Sequence, residues 1–362
     1  MVKKKVLLSS VKYGNIEYLI KYYKDNLEMN YSSKIKLYYA NHTKIYSRNK
    51  LLHYIMRIIE MAQHYDLVIA DYPSKVLLRG KKVIYMSHGY GTKMTPGLDE
   101  LLQPYMMKSY RMLRRHVNFI ITLSDRDEKY YLKSDVLNGE PLPEYIPLGL
   151  PRNDVLFDEN YVKECSQLIR KRYNIIGKKI ILYAPTWRGY NISNSFPLVQ
   201  QDFKKLDNYL EDKGWVLLYR PHYLEDILKH INFAYLNNII KVDLEKEQDP
   251  QRMLAAADML ITDYSSIYVD YLALNRPIAF VPFDLEQYST YRGLVIDFDN
   301  LDDTPGPKIR NVQDLIEYIE YIESGTDNYS LFRNNAIKQF YKYFDGNSCK
   351  RIWNFILEIL GC

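Results

Sequence analysis

Short apolar stretches alternate with longer amphipathic stretches along most of this chain. In the first half the apolar stretches are KKVLLSS, KIKLYYA, DLVIADY, KKVIYMS and Val117 to Leu123, and helix-like stretches follow several of them, at 15–29, 51–65 and 125–133. Alternation of this kind is typical of a parallel sheet with helices on its faces. The pattern therefore predicts an α/β protein.

The second half repeats the alternation. Its predicted strands are 179–186, 215–220, 239–243, 259–262 and 277–284, its predicted helices between them are 203–213, 249–259 and 267–274, and three more helices follow at 312–324, 329–344 and 348–360. Asp284, Glu286, Tyr288 and Arg292 fall on a predicted loop after the last strand. A second α/β unit is the simplest interpretation.

A turn between Gly149 and Pro151 precedes a polar helix at 159–173, and we place the domain boundary there. We predict a first domain at 1–150, a second at 151–345, and a C-terminal helix at 346–362. The apolar residues of that last helix recur with a helical period, so we expect it to cross back onto the first domain.

The composition suits two soluble domains, because 47% of the 362 residues are hydrophobic and 26% are charged. All apolar runs fall well short of the ~20 residues that cross a bilayer, and the apolar part of MVKKKVLLSS is too short for a signal peptide. The three scattered cysteines fit a reducing compartment. A net charge of +5 favours anionic partners without indicating nucleic acid. We therefore expect a cytoplasmic protein that binds no nucleic acid.

The segment 258–293 contains the clearest candidate for ligand chemistry. Asp263, Tyr264, Ser265 and Ser266 follow the strand 259–262 and precede a helix-like run. Hydroxyls and free backbone N–H groups at a helix start suit a phosphate. The alternative is that both serines only cap the helix.

Other polar residues also follow predicted strands. His88 and Lys93 come after the strand that ends at Met86, with Gly89 and Gly91 allowing close approach of a ligand; Arg188, Arg220 and His222 follow two strands of the second half. Neighbouring parallel strands would bring such residues to one sheet edge, where ligands bind. For each arginine a surface salt bridge is the alternative, and for a lone histidine a structural role.

Five segments taken together resemble the CDP-glycerol glycerophosphotransferase family, whose members build teichoic acids and related phosphate-linked capsule polymers. They are SHGYGTK at 87–93, LPRNDVLF at 150–157, LYAPTWRG at 182–189, YRPH at 219–222 and the ITDYSS stretch before 267. The resemblance covers roughly residues 80–310. It implies a GT-B-like fold, in which two doubly wound Rossmann-like domains face each other across a cleft and the second binds the donor nucleotide.

The resemblance also implies a reaction. Glycerol phosphate passes from CDP-glycerol to a hydroxyl of a lipid-linked acceptor and CMP is released, in a primase or a polymerase. CDP-ribitol is an alternative donor. No cofactor besides the donor substrate is expected, and no metal, because no Asp-X-Asp dyad lies beside the proposed phosphate loop.

Within that scheme His88 is the candidate general base, and His222 would help to hold the diphosphate, although the two can exchange roles. The other proposed donor contacts are Arg188, Arg220, Asp263, Ser265 and Ser266, and Gly89, Lys93 and Arg292 are candidate contacts to phosphate or acceptor. Asp263 either positions a histidine or orients its own turn. Tyr90, Gly91 and Thr92 replace the Thr-Pro-Leu found before the lysine in many members, which leaves the acceptor most open.

The stretch 98–116 is amphipathic and basic toward its end. It either contacts an anionic membrane surface or packs as an ordinary surface helix. Since family members use lipid-linked acceptors, we expect peripheral association with the cytoplasmic face of the cell membrane. Two rival functions remain: a nucleotide-sugar glycosyltransferase of the same fold, and a non-catalytic nucleotide- or membrane-binding protein.

Overall fold

The computed structural model describes residues 2–10, 14–41, 63–87, 89–132, 137–189 and 199–362. His88 and most of the predicted helix at 51–65 lie outside these ranges. The chain forms two compact units. Unit 1 comprises Met1–Tyr90, Met94–Asp154 and Tyr341–Cys362, and unit 2 comprises Gly91–Lys93 and Val155–Phe340.

Unit 1 contains a parallel sheet with the strand order β2-β1-β3-β4-β5-β6. The strands are β1 (Lys4–Ser10), β2 (Ile35–Asn41), β3 (Tyr65–Ala70), β4 (Gly80–Met86), β5 (Phe119–Ile121) and β6 (Glu144–Ile146). Its first helices are α1 (Asn15–Asn26), α2 (Glu28–Tyr31), α3 (Leu98–Leu101) and α4 (Pro104–His116). The central strands are apolar on both sides because helices cover parallel sheets on both faces.

Unit 2 contains a second parallel sheet, with the order β11-β10-β7-β8-β9. Its strands are β7 (Lys179–Tyr183), β8 (Trp215–Tyr219), β9 (Ile239–Lys241), β10 (Met259–Thr262) and β11 (Ile278–Phe280). Its helices are α5 (Glu159–Arg172), α6 (Gln200–Lys213), α7 (Pro250–Ala256), α8 (Ile267–Tyr271), α9 (Leu285–Arg292), α10 (Val312–Glu323) and α11 (Ser330–Phe340). These two sheets confirm the α/β prediction.

The C-terminal helix α12 (Ser348–Leu360) belongs to unit 1. Trp353 is fully buried in the same core as Val6 and Leu8, and its indole N–H donates to Leu19 O at 2.9 Å. The Asp154 carboxylate accepts hydrogen bonds from the first two backbone N–H groups of the helix, at 2.9 and 2.7 Å. Capping by a carboxylate and apolar burial together fix this helix on the unit 1 sheet.

The chain order places a topological switch point in the unit 2 sheet. From β7 the chain continues to β8 and β9 on one side, and then returns to β10 and β11 on the other. Ligands of open α/β sheets bind outside the carboxyl ends of the strands at such a point. The carboxyl ends of β7 and β10 are therefore the part of unit 2 where this fold favours a ligand site.

Two local predictions are wrong. The predicted helix at 125–133 is described over 125–132, and that part contains a single 3₁₀ turn, Asp127–Lys129, in place of a helix. Asp127 is buried and its carboxylate accepts from the backbone N–H groups of Leu123 and Ser124, which closes a turn against β5. Glu286, Tyr288 and Arg292, predicted on a loop, lie on helix α9.

Within the described ranges, every helix is too short or too polar to span a lipid bilayer.

Candidate active site

The candidate site residues of unit 2 follow four of its five strands. Thr186 and Arg188 come after β7, Arg220 and His222 after β8, Asp263, Ser265 and Ser266 after β10, and Asp284 after β11. Because the strands are parallel neighbours, these residues leave the same edge of the sheet.

Arg188 is the centre of a buried ionic cluster. Its side chain is 0% exposed, its Nε and Nη2 donate to the two oxygens of Asp284 at 2.7 and 3.1 Å, and its Nη1 donates to Asp263 Oδ2 at 2.6 Å. The rings of Tyr264, Phe283 and Tyr288 surround the guanidinium with centres 4.8 to 5.2 Å away. Burial alone would lower the pKa of Arg188, but the two carboxylates outweigh it and raise that pKa. The guanidinium of Arg188 therefore stays charged in this buried position.

The predicted direct contact between Arg188 and a donor is not what this structure presents. Four of its five N–H groups can be accounted for by Asp263, Asp284 and the carbonyl of Thr186, to which Nη1 also donates at 2.9 Å. A guanidinium paired in this way inside the protein holds the surrounding loops together. Arg188 thus stabilises the loops that carry the candidate site residues.

Asp263 orients its own turn. It is fully buried, and its carboxylate accepts from Thr186 N at 2.9 and 3.1 Å and from Ser265 N at 3.2 Å. These bonds join the loop after β7 to the turn after β10, across the switch point. Of the two roles that the sequence left open for Asp263, the described contacts match the second.

Ser265 and Ser266 differ in how they use their hydroxyls. Helix α8 begins at Ile267 and is five residues long. Ser265 Oγ accepts from Ile267 N at 3.3 Å, whereas the Ser266 side chain makes no capping hydrogen bond to this helix. Both residues are half-buried. The helix start therefore uses the Ser265 oxygen as an acceptor, whereas it does not use the Ser266 hydroxyl.

The turn after β8 fixes His222. Leu224 N donates to His222 Nδ1 at 3.2 Å, so a neutral imidazole in this position carries its proton on Nε2. Glu225 N donates to His222 O at 3.0 Å, and Glu225 Oε2 accepts from Arg188 N at 2.8 Å. Glu225 therefore connects the histidine turn to the loop that contains Thr186.

Arg220 retains hydrogen-bonding capacity. Burial lowers its pKa, although Asp249 and Glu247 act in the opposite direction. Its Nη2 reaches Gln248 O at 3.5 Å, at the limit of a hydrogen bond, and its Nε is buried without a partner among the described residues. A desolvated guanidinium with an unused donor suits an anionic ligand.

The remaining predicted contacts are dispersed. Lys93 groups with unit 2, and its Nζ donates to Thr186 Oγ1 at 2.8 Å. Gly89 groups with unit 1, where its N–H donates to Ser87 Oγ at 3.4 Å. Arg292 is half-buried at the end of α9. His88 lies outside the described residues.

Sequence reasoning missed three residues of this network. Thr186 and Asp284 follow strands, so the rule that selected Ser265 would also have found them. Glu225 lies farther along the turn after β8 than His222, and only the folded turn brings it to Arg188. Among the residues that the structure describes, no group of three His, Cys, Asp or Glu side chains is placed to hold a metal ion.

Comparison with known proteins identifies relatives along the whole chain. The model of the CDP-Glycerol:Poly(glycerophosphate) glycerophosphotransferase family matches residues 1–358. The teichoic acid ribitol-phosphate polymerase TarL of Staphylococcus aureus is 26% identical over 94% of this chain and 59% of its own length. The teichoic acid poly(glycerol phosphate) polymerase of Bacillus spizizenii is 35% identical over 60% of this chain and 53% of its own. The chain thus spans between half and three-fifths of the length of these relatives.

Solved structures show the same fold. The wall teichoic acid polymerase TagF superposes with a TM-score of 0.74 at 21% identity, covering 99% of this chain and 89% of that one. A UDP-GlcNAc 2-epimerase from Neisseria meningitidis superposes with a TM-score of 0.56 at 12% identity, covering 98% and 100%. These similarities confirm the predicted GT-B type of fold, two Rossmann-like units in tandem. The family match over residues 1–358 confirms the resemblance seen in the motifs, and this chain belongs to the CDP-glycerol:poly(glycerophosphate) glycerophosphotransferase family.

Proposed function

We propose that this chain transfers glycerol phosphate from CDP-glycerol to a hydroxyl of a lipid-linked acceptor and releases CMP, in the synthesis of a teichoic-acid-like or capsule polymer. The observation that carries the proposal is the family match over residues 1–358. The polar cluster at the switch point of unit 2 supports it, because nucleotide diphosphates bind at this position in open α/β sheets.

The reaction needs positioning, a base and charge stabilisation. The acceptor oxygen bonds to the phosphorus next to glycerol while the bond from that phosphorus to the bridging oxygen breaks. CMP leaves with the bonding electron pair, and the acceptor proton passes to a base. We assign the base to His88 and the stabilisation of the departing CMP to His222, whose Nδ1 accepts from Leu224 N so that the neutral ring carries its proton on Nε2.

Direct donor contacts are proposed for Arg220, Ser265 and Ser266. Arg220 supplies a cation with an unused N–H, and Ser266 supplies a hydroxyl that the helix does not use. Asp263 and Arg188 hold the loops from which these groups project. Preorganised donors of this kind stabilise charge without reorganising during the reaction.

CDP-ribitol is a second candidate donor. TarL, a ribitol-phosphate polymerase, aligns with 94% of this chain, whereas the poly(glycerol phosphate) polymerase of B. spizizenii is more identical over a shorter part. A teichoic acid glycerol-phosphate primase of Bacillus subtilis is 29% identical over 77% of the chain. Both alditols, and both single and repeated transfer, therefore belong in the test.

A membrane-facing surface is proposed on α3 and α4. Leu102 and Tyr105 are 85% and 75% exposed, and Lys108 and Arg111 are exposed on the following turns. Exposed apolar side chains beside basic ones suit an anionic lipid surface.

Vesicle binding tests this surface. We expect the protein to cosediment with anionic but not with zwitterionic vesicles, and the double variant Leu102→Ser/Tyr105→Ser to lose this binding. Equal binding to both vesicles, or unchanged binding of the variant, would refute this surface.

The released nucleotide tests the reaction. The purified protein is incubated separately with CDP-glycerol, CDP-ribitol and UDP-sugars in the presence of a lipid-linked acceptor. We expect CMP from one CDP-alditol, a rate about 10² to 10⁴ lower for His88→Ala because the base is lost, and a rate about 10² to 10³ lower for His222→Ala because charge stabilisation is lost. Release of UDP would indicate a nucleotide-sugar glycosyltransferase, and binding of every donor without turnover would indicate a binding protein.

A further inference from the structure

Three residues that follow β4 in the chain pack with unit 2. Val295 N donates to Thr92 O at 3.0 Å, and Lys93 forms an isolated antiparallel bridge with Leu294. Thr92 is 1% exposed. The segment Gly91–Lys93 is therefore anchored by its backbone to the unit that carries the switch-point cluster.

The glycine at position 91 allows this segment to pack closely against Phe340 of unit 2. Its φ is +88°, and a Cβ at this position would lie 2.9 Å from Cδ1 of Phe340. An L side chain is disfavoured there both by the backbone conformation and by the contact. The close approach fixes where the next two residues begin.

The side chain of Lys93 ends at the loop after β7. Its Nζ donates to Thr186 Oγ1 at 2.8 Å and lies 5.6 Å from the centre of the Tyr288 ring. Thr186 N in turn donates to Asp263, which also accepts from Ser265 N. The ammonium is thus joined through one threonine to the turn that contains both serines.

The charges around Lys93 leave its ammonium available. Its described contacts are a hydroxyl and an aromatic face, both neutral, and one hydrogen bond uses one of its three N–H donors. The carboxylates of Asp263 and Asp284, which follow β10 and β11, are bound to Arg188. A half-buried ammonium with two remaining donors strongly favours a phosphate oxygen.

We infer that Lys93 binds the diphosphate of the nucleotide donor. The inference rests on the proposed function for the identity of the donor, but the anion site itself is argued from the contacts of Lys93 in unit 2. The Gly91–Lys93 segment then completes a phosphate site whose other members, Arg220, Ser265 and Ser266, follow strands of unit 2.

Binding measurements test this without relying on turnover. The full chain is titrated calorimetrically with CDP-glycerol, CDP-ribitol, CMP and inorganic pyrophosphate. Lys93→Met keeps the apolar stem and removes the charge, Lys93→Arg keeps the charge, and Lys163→Met removes an exposed lysine of α5 as a matched control. Unfolding midpoints of all variants are compared to confirm that each is folded.

For the CDP-alditol that binds, we expect Lys93→Met to weaken affinity about tenfold to a hundredfold, because a charge-assisted hydrogen bond is lost. Lys93→Arg should retain most of the affinity, and Lys163→Met should match the wild type. CMP binding should change less than binding of the diphosphate donor.

Two results separate failure of the inference from failure of the proposed function. If the wild type and Lys93→Met bind the CDP-alditol equally, the inference is wrong and the proposed donor stands. If the wild type binds pyrophosphate in a manner that depends on Lys93 but binds neither CDP-alditol, the anion site stands and the proposed donor is wrong.

Discussion

Arg188 illustrates how a single buried residue can support a site without touching a ligand. Its guanidinium is paired with two carboxylates that belong to different strand ends, Asp263 after β10 and Asp284 after β11. Removing one partner from a buried ion cluster leaves an uncompensated charge inside the protein. Substitution of Arg188 should therefore lower the stability of the protein, and any loss of activity should follow from that.

Arg188→Met is therefore expected to lower the free energy of unfolding by about 3 to 5 kcal/mol, since two buried carboxylates lose their partner. Chemical denaturation of the full chain measures the change. Arg115→Met, which breaks an ion pair whose arginine side chain is 60% exposed, is the control and should leave the midpoint nearly unchanged. Equal effects of the two substitutions would contradict the structural role of Arg188.

The carboxyl group of Asp127 is expected to make the free energy of unfolding depend on pH. Burial raises the pKa of Asp127 from its ordinary value of 3.8 to about 7, although its carboxylate accepts two backbone hydrogen bonds. Between those pH values the folded chain binds the proton more tightly than the unfolded chain. The contribution of this proton binding to the free energy of unfolding is therefore fully present below pH 3.8, and it is lost as the pH rises through 7.

Asp127→Asn removes this titration while keeping an oxygen that accepts from Leu123 N and Ser124 N. At pH 8 the variant should be more stable than the wild type, and the difference should narrow at pH 5 by on the order of 2 kcal/mol. Urea unfolding at both pH values measures it. A difference that does not vary with pH would show that Asp127 ionises normally in the fold.

At the scale of elements, the turn at 305–307 forms part of the sheet. Pro307 O accepts from Phe280 N at 2.9 Å, and Ile309 N donates to Phe280 O at 2.7 Å, so this segment pairs with the edge strand β11. A Cβ on Gly306 would lie 2.0 Å from Ile278 O, inside the backbone of that strand. Glycine is required there by the close approach of two backbones.

Gly306→Ala should destabilise the protein by about 3 kcal/mol or more, because backbone atoms must move apart. Gly177→Ala is the matched control: Gly177 has a φ of +81° but open space around its Cβ position, and only a backbone penalty of about 1 kcal/mol is expected. Denaturation midpoints of the two variants compare the costs. If Gly306→Ala is no worse than the control, the pairing with β11 is not tight.

Elements that rest on local pattern were predictable, and those that rest on distant partners were not. The apolar runs located every strand of the two sheets except β6, and the residues after them singled out Ser265 and His222 as candidates. The helix predicted at 125–133 fails because Asp127 bonds the backbone beside β5. The pairing of Arg188 joins residues 75 and 96 positions apart in sequence, so no local signal reveals that it is buried.

At the scale of the whole molecule, each unit has its own core with one large tryptophan in it. Trp353 of α12 is buried with Val6, Leu8 and Ile69 in unit 1. Trp215 of β8 is buried with Phe203 and Leu210 in unit 2. Helix α12 and strand β1 thus belong to the same hydrophobic core.

Trp353→Ala should lower the stability of unit 1 by about 3 to 5 kcal/mol through the cavity that it leaves. Hydrogen exchange followed by mass spectrometry should show faster exchange in β1 and β3 and little change in β7 and β8. Trp215→Ala should give the opposite pattern. Faster exchange in both units after either substitution would contradict two separate cores.

The central claim is that the nucleotide donor binds at the switch point of the unit 2 sheet. A crystal structure of the full chain with CDP-glycerol tests it most directly. We predict the diphosphate outside the carboxyl ends of β7 and β10, within hydrogen-bond distance of Ser266 and Lys93. A diphosphate bound to the unit 1 sheet, or bound to unit 2 away from these strand ends, would contradict the account.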